Sequence, residues 1–151
     1  MDFISKILDM DFGALVPPLD TVLGGIRVVL SVLLLAGPII MMALGAAYLL
    51  FAPPEANYRF GFRTYFGMGS VEAWKFSQKV AGIAFVGVGL ILTVIMGVVV
   101  SKFGDSDAFQ MAGTALTCLL WQVGAVLLVR MVVAILAAAF FNPDGTRRRE
   151  K

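Results

Sequence analysis

Residues 80–101 have the sequence VAGIAFVGVGLILTVIMGVVVS, which contains no Lys, Arg, Asp or Glu. A helix needs about 20 apolar residues to cross a hydrocarbon core of about 30 Å, so this block is long enough to span a bilayer. Residues 28–54 form a second block without these charged residues, and residues 108–141 form a third that holds only Arg130. The short connections between the blocks predict an all-α membrane protein whose three transmembrane helices form an up-down bundle.

The composition of the whole chain favours the same interpretation. Of its 151 residues, 60% are hydrophobic and 15% are charged, whereas a typical soluble domain is about half apolar and a quarter charged. The three apolar blocks leave little chain for a soluble domain, so we expect residues 1–151 to form a single membrane domain. The formal net charge is only +2 and the basic residues lie in short flanks, which argues against nucleic acid binding.

The chain offers few residues for catalysis or metal binding. It has no histidine and one cysteine, Cys118, so the commonest general base and the commonest zinc ligands are missing. Glu55 and Glu72 are the carboxylates that flank the apolar blocks on the side of the longer loop, and they do not form the acidic pair that holds magnesium. We therefore expect no catalytic site, no metal site and no cofactor.

Prolines and capping residues predict where the helices begin and end. Pro53 and Pro54 stop the first helix, because proline cannot continue the backbone hydrogen-bond ladder. Ser70 suits the N-cap of the second helix, and Glu72 lies in its first turn, where the helix dipole favours an anion. The predicted segments are an N-terminal interfacial segment (1–21), helix one (22–51), a signature segment (52–79), helix two within the membrane (80–100), a turn (101–109), helix three (110–141) and a basic tail (142–151).

The signature segment, residues 52–79, divides into a loop and the start of a helix. Residues 55–69, EANYRFGFRTYFGMG, are polar, aromatic and glycine-rich, which predicts an ordered loop at the membrane interface. Residues 71–79, VEAWKFSQK, are amphipathic. We expect these first turns of helix two to run along the interface in contact with water.

The distribution of basic residues predicts the orientation in the membrane, because short loops rich in Lys and Arg stay cytoplasmic. The signature segment and the tail together carry eight Lys and Arg residues, whereas the other side carries Lys6, Arg27 and Lys102. We therefore expect the N-terminus outside the cell, and the signature segment and the C-terminus in the cytoplasm.

The signature segment also carries an ordered pattern: Asn, Gly, an aromatic residue and Arg-Thr, followed by Ser, an acidic residue and Trp at the start of the next helix, then an amide. The residues of this pattern are Asn57, Gly61, Phe62, Arg63, Thr64, Ser70, Glu72, Trp74 and Gln78. The pattern resembles that of the SdpI family of bacterial membrane proteins. The resemblance covers about residues 53–100, and the proline usual before the asparagine is displaced here to Pro53 and Pro54.

The resemblance implies a location and a class of function. The family is named for an immunity protein that protects a producing cell from a secreted, membrane-active killing peptide and relays its presence to a cytoplasmic repressor. By resemblance, this chain is a multi-pass protein of the bacterial cytoplasmic membrane. Its candidate partners are the lipid bilayer, a hydrophobic toxin peptide and a cytoplasmic repressor.

Polar residues of the signature segment are candidates for ligand or lipid binding. Arg63 carries a permanent, planar charge at headgroup level, which suits a lipid phosphate or a carboxylate, and Lys75 and Lys79 would reinforce such an anion site. The alternative for Arg63 is an ion pair with Glu72 that fixes the loop to helix two. The candidate residues are Asn57, Arg59, Arg63, Thr64, Glu72, Trp74, Lys75 and Gln78.

Several of these residues also have structural interpretations. Trp74 suits the interface because its ring prefers the headgroup zone. Asn57 and Thr64 can bond neighbouring backbone in a turn, and Gly61 can take backbone angles that are closed to other residues.

Polar and small residues inside the helices provide a second set of candidates. Gln122 either bonds a neighbouring helix or serves a site, and Arg130 either extends toward the cytoplasmic surface or faces the protein interior. In helix two, Gly89, Thr93 and Gly97 recur every fourth residue, which permits close packing within the chain or in a homodimer.

Three functions compete on this basis. The first is a binding or signalling membrane protein of the immunity type, which the family resemblance favours. The second is an oligomeric transporter or channel subunit, since three helices rarely enclose a pathway alone. The third is an enzyme that acts on lipid headgroups, for which the chain offers the fewest suitable residues.

Overall fold

A computed structural model describes residues 18–148 and contains three long helices in that range. The helices are α1 (Leu19–Leu50), α2 (Val71–Ser101) and α3 (Ala108–Phe140). A loop with one 3-10 turn, Phe66–Met68, joins α1 to α2, and a 3-10 turn, Lys102–Asp105, leads from α2 toward α3. Each helix is long and apolar enough to cross a membrane, which confirms the predicted all-α, three-helix membrane fold.

The helices are longer than the bilayer requires. α3 has 33 residues and is therefore about 50 Å long at 1.5 Å per residue, against a hydrocarbon core of about 30 Å. Compared with the predicted bounds, α1 begins three residues earlier and α3 two residues earlier, and both end one residue earlier. α2 begins at Val71, in the amphipathic turns expected to precede its membrane part. The ends of the helices therefore reach into the interfacial layers, and the predicted interfacial segment 1–21 falls mostly outside the described residues.

Side-chain caps fix the starts of α2 and α3. The Oγ atom of Ser70 accepts a hydrogen bond from the backbone N–H of Ala73 at 3.1 Å, which confirms Ser70 as an N-cap. Asp107 caps α3 by accepting from the N–H of Gln110 at 2.8 Å. The third helix therefore begins at residue 108, two residues before the predicted start, because Asp107 supplies a capping carboxylate inside the expected turn.

Two apolar clusters show how the helices run relative to one another. Near the signature segment, Met41 of α1 packs with Phe85 of α2 and Val129 of α3. Near the 3-10 turn Lys102–Asp105, a second cluster contains Leu34 of α1, Met96 of α2, and Met111 and Ala115 of α3. Residue numbers decrease along α1 and α3 as they increase along α2, so α2 is antiparallel to both neighbours, as the up-down prediction requires.

α1 and α2 approach each other closely at a pair of glycines. A Cβ atom on Gly45 would lie 2.8 Å from the carbonyl oxygen of Gly82, and one on Gly82 would lie 2.9 Å from the carbonyl oxygen of Gly45. Real side-chain carbons do not approach backbone oxygens this closely, so both positions need glycine. This contact sets the α1–α2 spacing beside the signature segment.

The predicted stripe of small residues on α2 is used mainly within the chain. A Cβ atom on Gly89 would lie 2.7 Å from Cγ of Met42. The Thr93 hydroxyl donates to the carbonyl oxygen of Gly89 at 2.8 Å and lies 3.7 Å from the sulfur of Met42. Gly97 has no neighbour within 4 Å of an added Cβ atom. The homodimer stays a prediction, and Gly97 is the member of the stripe that α1 leaves free.

Candidate functional site

The loop of the signature segment is fastened to α2 by one buried amide. The N–H of Phe62 donates to Oε1 of Gln78 at 2.7 Å, and Nε2 of Gln78 donates to the carbonyl oxygen of Phe62 at 2.7 Å. Both bonds are buried, so the Gln78 side chain satisfies the two backbone groups of one loop residue as a neighbouring strand would. This Gln78–Phe62 amide pair fixes the depth of the loop against the helices.

Trp74 fastens the loop at a second place. Its indole N–H donates to the carbonyl oxygen of Pro53 at 2.8 Å, and its side chain is fully buried. Gly61 has a φ of 124°, and a Cβ atom there would lie 2.5 Å from the Trp74 ring. The loop folds over the Trp74 ring and shields it from lipid and water, whereas its position at headgroup level stays a prediction.

Asn57 and Thr64 stabilise turns inside the loop. Oδ1 of Asn57 accepts from the N–H groups of Arg59 and Phe60 at 2.9 and 3.0 Å. Oγ1 of Thr64 accepts from the N–H of Gly67 at 3.0 Å. Both residues therefore form the bonds that their structural interpretation predicted, in which a short polar side chain stabilises a turn.

The first turns of α2, which were expected to lie in contact with water, are partly buried within the protein. Ala73, Trp74, Ser77 and Gln78 are buried under the loop, whereas Glu72, Lys75 and Lys79 are exposed. Only one side of these turns is therefore in contact with water or lipid headgroups. The hydroxyl of Ser77 is buried without a hydrogen-bond partner in the described part of the chain, and it packs against Gly67.

Glu72 pairs with the C-terminal turn instead of with Arg63. Oε1 of Glu72 lies 3.7 Å from Nη1 of Arg147, and both side chains are about two-thirds exposed (63% and 68%). An exposed pair at this distance contributes little to stability. The predicted alternative of an Arg63–Glu72 ion pair is therefore wrong, and Arg63 is left without an acidic partner within residues 18–148.

Residues 141–148 form a compact turn that rests on the start of α2, and we call it the C-terminal turn. The Ser70 hydroxyl donates to the carbonyl oxygen of Gly145 at 2.7 Å, and Gly145, with a φ of 79°, packs on the backbone of Gly69. Inside the turn, Thr146 donates to Asp144 through its hydroxyl and its backbone N–H, and these bonds hold the pKa of that carboxyl below its usual 3.8. The end of the chain is thus tied to the signature segment.

Arg63 and Arg130 line the same cavity, which we call the loop-side cavity. It measures about 390 Å³ and lies between the loop and the three helices. The guanidinium carbon of Arg130 lies 5.9 Å from the centre of the Phe62 ring, and that of Arg63 lies 5.9 Å from the Tyr58 ring. The lining contains no carboxylate and consists of Leu44, Tyr48, Gly61, Phe62, Arg63, Phe85, Val126 and Arg130.

An aromatic cluster forms the floor of the loop-side cavity. The ring centre of Tyr48 lies 5.9 Å from those of Phe60, Phe62 and Phe85, in tilted or edge-on arrangements that aromatic rings prefer. The sequence analysis missed the role of Tyr48 and Phe85, because a single aromatic residue in an apolar helix has no signal that separates it from lipid-facing residues. The Gln78–Phe62 amide pair holds Phe62 in this cluster.

The lysines of α2 do not reinforce the Arg63 site. Lys75 and Lys79 line a different cavity, of about 320 Å³, together with Gln78, Pro53 and Pro54. Tyr48 lines both this cavity and the loop-side cavity and so lies between them. Arg59 is exposed in the loop and lines neither.

Gln122 replaces a backbone hydrogen bond that α1 lacks. Pro38 has no N–H, so the carbonyl of Leu34, four residues earlier, loses its usual helical donor. Nε2 of Gln122 donates to that carbonyl at 2.9 Å, in a buried bond. A Cβ atom on Gly37 would collide with Oε1 of Gln122, so the glycine before the proline admits the amide.

A second, apolar cavity lies beside Gln122, and we call it the inner cavity. It measures about 300 Å³. Its lining is formed by aliphatic and methionine side chains and by Gln122; it consists of Gly37, Pro38, Met41, Leu92, Leu119, Gln122, Val123, Val126 and Leu127. Val126 belongs to both this cavity and the loop-side cavity.

The described residues contain no group of three or more His, Cys, Asp or Glu side chains that could hold a metal ion. Comparison with known proteins gives one family match: a model described as the SdpI/YfhL protein family matches residues 54–141. This match covers more than half of the chain and extends through α3, well beyond the residues that carried the resemblance. No curated protein and no solved structure matches the chain.

Proposed function

Because the chain belongs to the SdpI/YfhL protein family, whose model matches residues 54–141, we propose that this multi-pass membrane protein acts by binding and not by catalysis, as a receptor of the immunity type. The ligand is an amphiphile in the membrane, either a membrane-active peptide or a lipid, that carries an anionic group. The loop-side cavity is the binding site. In this proposal the cavity lies at the cytoplasmic surface of a bacterial cytoplasmic membrane; the positive-inside bias supports the orientation, and the family supports the membrane.

The observation that carries the proposal is the pair of arginines in the loop-side cavity. Arg63 and Arg130 line one space of about 390 Å³ that contains no carboxylate, and neither forms an ion pair within residues 18–148. Both side chains are exposed, so their charges are accessible to a ligand, and two cations that line one space without a carboxylate attract an anion. Arginine also suits this role, because its planar donors match carboxylate and phosphate oxygens.

A challenge experiment tests the immunity part of the proposal. A sensitive bacterium that expresses the protein is exposed to a panel of membrane-active peptides, and the concentration that stops growth is compared with that for cells without the protein. We expect wild-type protein to raise this concentration for at least one peptide, and Arg63→Gln to remove most of the protection. Arg59→Gln is the matched control, because Arg59 is exposed in the same loop but does not line the cavity. Failure of the wild type to protect against any peptide would rule out immunity.

We further propose that the C-terminal turn relays binding to a cytoplasmic partner, such as a repressor. The turn contacts the signature segment through Ser70 and Gly145 and through Arg147 and Glu72, so a shift of the loop alters the turn directly. Spin labels at Tyr65 and Arg148, both exposed, would report the distance between loop and turn with and without a protective peptide. A distance distribution that is unchanged by the peptide would contradict the relay.

A further inference from the structure

We infer that the loop-side cavity and the inner cavity form one cleft that binds a single anionic phospholipid, with its phosphate at Arg63 and Arg130 and an acyl chain in the inner cavity. This inference rests on the proposed function in one respect, namely that the loop-side cavity binds a ligand. It goes further by assigning the ligand to a lipid and by giving the inner cavity a role.

The helices place the two cavities end to end. Val126 of α3 lines both cavities, and Arg130, one turn later, lines only the loop-side cavity, whereas Gln122, one turn earlier, lines only the inner cavity. α1 shows the same order, with Leu44 in the loop-side cavity and Met41, nearly one turn away, in the inner cavity. The cleft therefore runs along the helix axes, from a charged end beside the signature segment to an apolar end nearer the middle of the helices, where Val123 and Leu127 are exposed at the outer surface.

The depth of Arg130 fits a lipid phosphate. If α3, about 50 Å long, is centred in a core of about 30 Å, about 10 Å of helix extends beyond each face. Arg130 lies ten residues before Phe140, or about 15 Å, so its Cα lies about 5 Å below the hydrocarbon boundary. The long arginine side chain spans this distance and brings the guanidinium group to the hydrocarbon boundary, within reach of a lipid phosphate.

The chemistry of the inner cavity distinguishes an acyl chain from a peptide. The side-chain amide of Gln122 is its one polar side-chain group, and Nε2 of that amide already donates to Leu34. A peptide segment in this space would bury backbone N–H and carbonyl groups without partners, which costs several kcal/mol for each group in hydrocarbon. An acyl chain carries no such groups. The cavity, at about 300 Å³, is also at the lower end of the volumes that bind small molecules.

The test compares lipids on the purified, full-length protein by native mass spectrometry and by titration in detergent. We expect one phosphatidylglycerol molecule to remain bound per chain, at least tenfold more tightly than phosphatidylcholine of the same acyl chains. Arg63→Gln and Arg130→Gln should each weaken this binding about tenfold, and the control Arg59→Gln should leave it unchanged. Val123→Phe, which fills the inner cavity, should weaken binding of long-chain but not of six-carbon phosphatidylglycerol.

Each other outcome has a definite meaning. Equal affinity for the two lipids, or an equal effect of Arg59→Gln, would overturn the inference. Binding of glycerol phosphate as tight as that of phosphatidylglycerol would also overturn it, because it would show an anion site without a chain site. If a protective peptide binds and phosphatidylglycerol does not, the inference fails and the proposed function stands; if the lipid binds and no peptide protects, immunity fails and the lipid site stands.

Discussion

A proline inside a membrane helix leaves the carbonyl group four residues earlier without its helical donor. A side chain that donates to this carbonyl replaces the missing backbone hydrogen bond. In this chain the carbonyl belongs to Leu34, the proline is Pro38, and the donor is Gln122 of α3. The three residues therefore act as a unit, and the contribution of Gln122 depends on the presence of the proline.

Gln122→Leu should lower the free energy of unfolding by about 1–2 kcal/mol, because it leaves the buried carbonyl of Leu34 without a donor. In a Pro38→Ala background the same substitution should cost much less, because the backbone N–H restored at position 38 can donate to Leu34. Equilibrium unfolding in mixed micelles of the wild type, the two single variants and the double variant gives the coupling energy between positions 38 and 122. An equal cost of Gln122→Leu in both backgrounds would show that the amide does not replace the missing backbone donor.

Gln78→Leu should destabilise the loop by about 2 kcal/mol or more, because it leaves the N–H and the carbonyl of Phe62 buried without partners. Limited proteolysis within residues 51–70 and thermal unfolding in detergent measure the effect. Lys79→Leu is the control: Lys79 is the next residue along α2 and is exposed, so its substitution should change stability by less than about 0.5 kcal/mol. Similar behaviour of the two variants would argue against the Gln78–Phe62 amide pair.

The sequence predicted residue types better than it predicted partners. Ser70 was identified as a cap because a cap is a local interaction within one turn. The partners of Glu72 and Trp74 were missed, because Arg147 and Pro53 are brought to them by the fold and have no fixed spacing in the sequence. The same reason explains why Arg63 and Arg130, 67 positions apart, were proposed separately and not as one site.

At the scale of elements, the C-terminal turn is the part whose role was least visible in the sequence. The sequence predicted only a helix end at residue 141 and a basic tail over residues 142–151. The structure instead forms a closed turn, with an isolated bridge between Phe141 and Arg147. This turn rests on the 3-10 turn Phe66–Met68 and on the start of α2. Its contacts are to residues that lie about 75 positions away, so no local pattern indicates them.

Gly145→Ala should detach the C-terminal turn. The φ of 79° disfavours a side chain at this position, and an added Cβ atom would collide with the backbone of Gly69. Trypsin cleavage after Arg147 and Arg148 should become about tenfold faster, which corresponds to about 1.4 kcal/mol of weakened docking. Gly104→Ala is the control, since an added Cβ atom there has no neighbour within 4 Å. Unchanged cleavage of the Gly145 variant would contradict the docked turn.

The helices themselves were predicted to within a few residues, because the apolar blocks are long and nearly free of charge. The error at the start of α3 has a local cause, since Asp107 was assigned to the polar turn although it caps the helix. The three-residue error at the start of α1 reflects the continuation of that helix into the interface. There the membrane no longer requires apolar residues, so hydropathy does not mark the end of the helix.

At the scale of the whole molecule, the antiparallel order of the helices makes a definite prediction about sidedness. The loop at Tyr65 and the C-terminal turn lie at one end of the bundle, and Asp105 lies at the other. In a Cys118→Ala background, a membrane-impermeant thiol reagent added to intact cells should label Asp105→Cys and not Tyr65→Cys. Both should be labelled after permeabilisation, because both native side chains are exposed. Labelling of Tyr65→Cys in intact cells would reverse the predicted orientation.

The bond between Gln122 and Leu34 also constrains how the protein is made. The two residues are 88 positions apart, and at about 5–20 residues per second the ribosome needs about 4–18 s to reach the second after the first. During this interval the newly inserted α1 lacks a donor for one carbonyl, while its glycine contact with α2 can already form. α1 therefore reaches its final state only when α3 enters the bilayer, and a translational pause between them would prolong an incompletely bonded intermediate.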